Sequence, residues 1–194
     1  MTTTVGERTR ASILEESARL ATVEGLEGLS IGQLAGAIGM SKSGLYAHFR
    51  SKEELQLATI ETARGIYETE VVEPGMSAPE GERLRAICEA FLSHVEREVF
   101  PGGCFFASAA AEVGTRRTRV RDVIAEIHKR WMGLLADLVR EAQKAGRVKR
   151  SEDPAQLAFE LNSILVAANN GYILQRDPSV FGRARQAISR HVRA

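Results

Sequence analysis

Apolar positions recur every three or four residues along nearly the whole chain, and the interruptions fall at Gly, Pro and capping residues. Between residues 8 and 24, Ile13, Leu14, Ala18, Leu20 and Ala21 form a single stripe, and Gly25 closes it as a helix terminator. Three further helix starts precede residue 55. Ser30 and Gln33 have capping-box spacing, with Leu29 and Leu34 at staple positions, so a short second helix begins at Ile31 and stops near Gly39. Met40, Ser41 and Leu45 repeat that arrangement for a third helix, from Lys42 to about His48. Ser51 and Glu54 open a long fourth helix, 51–72.

The stretch EPGMSAP, 73–79, reads as a linker from its Pro and Gly content. Beyond it Leu84, Ile87, Cys88, Phe91, Leu92 and Val95 describe a helix with one apolar face. PGGCFF interrupts the pattern, and a shorter helix at about 104–113 follows. Val120, Ile124, Ile127, Trp131, Leu134, Leu138 and Ala142 then predict a long helix ended by Gly146. Asp153-Pro154 and Asp177-Pro178 each join an N-cap to a first-turn proline, predicting helices at about 154–175 and 178–192. With no strand alternation and no internal repeat, the expected fold is all-α, with about nine helices.

Composition narrows the class. At 194 residues, 44% hydrophobic and 26% charged, the chain can build a folded core. No run reaches the roughly 18 apolar residues of a membrane span, and the opening MTTTVGERTR has no signal-like apolar core, so the expected address is cytoplasmic, with no membrane partner. Cys88 and Cys104 lack zinc-site spacing and are expected as small buried hydrophobes, with no metal and no cofactor. The histidines at 48, 94, 128 and 191 form no i,i+4 pair, and HExxH, GxSxG, P-loop and GxGxxG motifs are absent. A small helical enzyme is therefore an alternative without a motif to carry it.

A net charge of +1 excludes a uniformly basic polyanion binder, so any such binding must be local. Residues 41–52 hold Lys42, Arg50 and Lys52 and no acid, whereas residues 1–55 taken whole are slightly acidic. Two short helices joined through a Gly-containing turn, 30–49, are the parts of a helix-turn-helix, whose second helix enters a major groove with its first residues at base edges. Leu45 and Phe49, four apart, turn inward and leave Lys42, Ser43, Tyr46 and Ala47 outside. Base readout would then fall near Lys42, Ser43 and Gly44, and phosphate contacts on Tyr46, His48 and Lys52. Periodicity and charge describe a plain solvated face equally well, and leave both readings open.

The segment SIGQLAGAIGMSKSGLYAHFRSKEEL, residues 30–55, resembles the helix-turn-helix signature of TetR-type transcriptional regulators. The likeness rests on Tyr46, Ala47, His48 and Phe49, followed by Ser51, Lys52, Glu53, Glu54 and Leu55, and is close over residues 8–55. It implies a dimeric regulator, usually a repressor, that binds a palindromic double-stranded DNA operator through two copies of a 1–55 domain. Helix 51–72 would connect that domain to a 73–194 ligand-binding and dimerisation domain. The resemblance gives the DNA roles to the same six residues and implies a small-molecule inducer, with Phe91, His94, Phe105, Phe106, Trp131 and Asn162 as pocket candidates that core packing also explains. It implies a homodimer through helices 154–175 and 178–192. There Leu157, Leu161, Ile164, Leu165 and Ala168 form an apolar face that would serve equally as an intramolecular core. Gly44 departs from good helix formers by about 1 kcal/mol, so either close approach to DNA compensates or the helix orders on binding. A ligand-insensitive regulator or an activator of the same fold is the alternative.

Overall fold

The structure, a computed structural model, describes residues 5–114 and 117–193. Residues 1–4, 115–116 and 194, which the expected domains include, lie outside the described residues. The elements are α1 (Val5–Glu24), α2 (Ile31–Ala37), α3 (Lys42–Tyr46) and α4 (Lys52–Tyr67), then a wide π-type turn, Glu68–Val72, and α5 (Glu73–Met76). They are followed by α6 (Arg83–Glu96), α7 (Phe105–Val113), α8 (Arg119–Lys144), α9 (Pro154–Gln175) and α10 (Ser179–His191). With residues 52–76 counted as one rod there are nine helices and no strand among the described residues.

Capping chemistry sets most boundaries. Ser30 Oγ accepts the Gln33 N–H at 3.2 Å, Ser51 Oγ the Glu54 N–H at 3.1 Å, and an Asp153 carboxylate oxygen the Gln156 N–H at 2.8 Å. Asp177 takes both the N–H and the hydroxyl of Ser179, at 2.9 and 2.6 Å, and these bonds lower its pKa. The third helix is shorter than expected, ending at Tyr46 rather than near His48. The His48 and Phe49 N–H groups both turn back to the Leu45 carbonyl, at 3.0 and 3.2 Å, which closes the helix and folds Phe49 under it.

The chain forms two compact units, residues 1–66 with 100–125 and residues 67–99 with 126–194; the boundaries fall inside α4, in the loop after α6 and inside α8. The first unit is built on Ile13, Leu14, Leu29, Leu34, Ala35, Leu45, Phe49 and Leu55, which come from four helices and their turns. Segment 100–125 belongs here because its backbone meets that of α1. The Gly102 N–H donates to Thr22 Oγ1 at 3.1 Å, and a Cβ on Gly102 would lie 1.8 Å from the Thr22 carbonyl oxygen.

In the second unit the expected linker is in part helical, a correction to the 73–79 reading: Glu73–Met76 completes the rod. Pro74, which has no N–H to donate, comes just after the wide π-type turn. Gly75 is required by packing, not flexibility, since a Cβ there would stand 2.6 Å from Ile87 Cβ. On α9 Leu157, Leu161, Leu165 and Ala168 are buried within the single chain while Ile164 is half-buried, so of the two readings of this apolar face the intramolecular one accounts for all but Ile164. Arg185 on α10 reaches back to α6, donating to Glu89 at 2.7 Å and Glu96 at 2.8 Å.

Candidate nucleic-acid interface

Helix α3 is a two-faced element fixed from below. Leu45 and Phe49 are each 0% exposed, while Lys42, Ser43, Tyr46 and Ala47 lie outside, Tyr46 at 57% exposure. Ser41 Oγ accepts the Gly44 N–H at 3.1 Å and sits 3.1 Å from Ser43 Oγ, so the first turn is ordered by its own cap. That cap supplies a local reason for Gly44: a Cβ would come within 3.2 Å of Ser41 Oγ and 3.4 Å of Met40 Cε. With no side chain of its own, Gly44 can offer a base only backbone.

Ser30, Ile31, Gly32, Lys42, Tyr46, Ser51 and Lys52 line one shallow cleft, so three of the six expected DNA contacts share a surface. Lys42 lies across Gly32, where a Cβ would sit 3.3 Å from Lys42 Cε. His48 is half-buried with its ring 6.4 Å from that of Phe49. Lys52 is engaged inside the protein: its ammonium donates to the Glu27 carbonyl and lies 3.9 Å from the Glu27 carboxylate. A partly balanced, half-exposed ammonium of this kind keeps donors for a phosphate, and its position is fixed by the turn it holds.

Three contributors escaped the sequence reading. The Arg10 guanidinium sits 5.0 Å from the centroid of the Phe49 ring, a cation–π contact at the base of α3. Glu27 opposes Lys52, as described. Glu112 on α7 accepts the N–H groups of Leu26 and Glu27, both at 2.6 Å. The last pairing spans 85 and 86 residues and leaves no local signal in the sequence.

The six pocket candidates divide between the units. In the second, Tyr67 is the hub: its ring lies 6.4 Å from Phe91, 6.0 Å from His94 and 5.5 Å from Trp131, edge-on to each. Trp131 Nε1–H donates to Asn162 Oδ1 at 2.9 Å, which ties Asn162 to the group. Burial holds the His94 pKa down to about 4, outweighing the opposite pull of Glu70, so the imidazole is neutral near pH 7. Phe105 and Phe106 belong to the first unit, with rings 5.3 Å apart and Phe105 6.3 Å from Phe100. Burial also raises the thiols, Cys88 to about 12 and Cys104 to about 11, so both are protonated and unreactive.

Comparison with known proteins bears on both units. Residues 13–59 match the family described as bacterial regulatory proteins, tetR family, and residues 81–188 match the tetracyclin repressor-like C-terminal domain. Transcriptional regulator AcuR of Cereibacter sphaeroides is 28% identical over 141 residues, covering 71% of this chain and 64% of that protein, so the match spans less than two thirds of the relative's length. Among solved structures, a TetR-family regulator from Cytophaga hutchinsonii superimposes with a TM-score of 0.82 at 20% identity, over 100% of both chains. AibR in complex with isovaleryl coenzyme A and operator DNA gives a TM-score of 0.72 at 25% identity, over 92% of this chain and 95% of that one.

Proposed function

The chain belongs to the tetR family of bacterial regulatory proteins, and on that footing we propose that it is a dimeric repressor, released from a palindromic operator by a small molecule. Its family and fold are those of DNA-binding transcription regulators. The observation that carries the DNA reading is the asymmetry of α3, whose apolar side chains are wholly buried while Lys42, Ser43 and Tyr46 stand outward at a helix start. Lys42 and Ser43, with the Gly44 backbone, then meet base edges, and Tyr46, His48 and Lys52 hold phosphates.

Pairing with a second copy is supported by what α9 leaves uncovered. Phe159 is 60% and Leu174 82% exposed on a helix whose opposite face is already core. Ala167 and Ala168 of α9 and Ala184 and Ala187 of α10 line a groove shallow enough for close helix contact. Two such helices from each protomer would make an isologous four-helix contact and set the spacing of two copies of α3. For the inducer we favour the aromatic group around Tyr67, with Asn162 as its polar marker. Inducer binding releases DNA only if the molecule prefers the spacing that does not fit the operator. A cytoplasmic location follows from the DNA partner, and no described helix is long and apolar enough to cross a membrane.

The test is selection of bound sites from genomic DNA by the full chain and by Lys42→Ala and Tyr46→Ala variants. The expected outcome is a palindromic consensus for the wild type, and binding weakened about tenfold or more by Lys42→Ala with relaxed base preference. A wild type that retains no sequence in preference to any other defeats the proposal.

A further inference from the structure

The turn between α1 and α2 is held from two sides at once. Its N–H groups face α7, where the two oxygens of Glu112 accept from Leu26 and Glu27 at 2.6 Å each. Its carbonyls face α4: that of Leu26 accepts from Gln56 Nε2 at 2.9 Å, and that of Glu27 from the Lys52 ammonium. Two consecutive residues therefore turn their N–H groups to one helix and their carbonyls to another.

The backbone is shaped for this grip. Gly25 has φ +82°, and a Cβ there would lie 2.7 Å from Glu112 Oε1. A side chain at Gly28 would press its Cβ to 2.1 Å from the Glu24 carbonyl oxygen. Bonds from two backbone N–H groups to an ionised carboxylate are charge-assisted and stronger than neutral ones. The contact between Gly102 and Thr22 fixes the loop that leads into α7 on the same end of α1. From Glu112 the bonds run through the backbone of Glu27, N–H on one side and carbonyl on the other, to Lys52, and Lys52 lines the same cleft as Lys42 and Tyr46.

We propose that Glu112 is a positioning residue for operator binding, fixing the 26–27 peptides and through them the place of the Lys52 ammonium beside α3. This rests on reading the Lys42 and Tyr46 face as the DNA surface. Glu112 touches no DNA in this scheme. It sets where a phosphate ligand stands, and α7 thereby becomes part of the DNA-reading unit.

The test uses the full-length protein and its own selected operator, with Glu112→Gln, Glu112→Ala, Lys52→Ala and the Glu112→Ala/Lys52→Ala double variant. Thermal midpoints measured alongside refer every affinity to the folded fraction. Glu112→Ala is expected to weaken binding about tenfold. It is also expected to flatten the dependence on log salt by about one phosphate contact, a slope change near 0.9. The double variant should bind no more weakly than the worse single one, because both act on one contact. Glu112→Gln keeps the length and one acceptor, so it should fall between and carries the test if the alanine variant does not fold. The Leu26 and Glu27 amide proton signals should move upfield in either variant. Wild-type affinity and salt slope in the folded Glu112 variants, or fully additive losses in the double one, overturn the role while leaving the DNA reading intact. Absence of any selected sequence for the wild type removes both, and is seen before a variant is compared.

Discussion

Helices α3 and α9 resolve the same problem, an amphipathic helix at a surface, in opposite ways. Leu45 of α3 and Phe49 just after it point inward, and the outer face, Tyr46 included, is short, polar and cationic. In α9 the inner face is packed with Leu157, Leu161 and Leu165, yet the outer face still shows Phe159 and Leu174 to solvent. One face is suited to a hydrated polyanion, the other to a second apolar surface. The contrast extends to the surrounding cores. The buried polar groups of the first unit, Ser17, Thr22, Gln56 and Thr59, do not titrate, whereas the second buries His94.

The strongest challenge to this contrast is at the inner face of α3. Phe49→Ala empties a fully buried ring site and should cost about 3–5 kcal/mol of stability, read by urea denaturation. A loss under about 1 kcal/mol would mean that α3 is not anchored as described. Next comes acid. His94 has a folded pKa of about 4 against roughly 6.5 in the unfolded chain, so between those values the unfolded state binds the extra proton. Stability contributed by the neutral ring is complete above about pH 6.5 and is lost as pH falls toward 4, by about 3 kcal/mol in all. Urea denaturation at pH 7 and 4.5 measures it, and His94→Leu should remove that part of the slope. The smallest of the three effects sharpens the outer face of α9. Leu174→Glu should leave the monomer's unfolding nearly unchanged but raise the dissociation constant of the proposed dimer about 30-fold or more, measured by sedimentation. Unchanged assembly would show that this face meets something other than a second copy.

The sequence made legible what is local. Ser30, Ser41, Ser51 and Asp153 each cap a helix within three residues of their partner, and so helix starts could be placed closely. Leu45 and Phe49 were legible as inward for the same reason, being four apart on one short segment. Less was visible where long-range packing decides. The Pro and Gly of EPGMSAP signal a break, but the contact of Gly75 with Ile87 is twelve residues away and turns the segment into the end of a rod. On α9 apolar residues occupy both faces, so periodicity could not say which face the chain itself covers. Glu112 and the internal bond of Lys52 depend on partners 85 and 25 residues distant, beyond any pattern of neighbours.

Gly75 has a consequence for genetics. With a neighbour's Cβ already 2.6 Å from where its own would be, the position tolerates no replacement, not even alanine, without displacing α5 or α6. In a random mutagenesis screen it should score as intolerant as the buried Leu45 and Phe49, and a map of such hits would mark a spot set by packing alone.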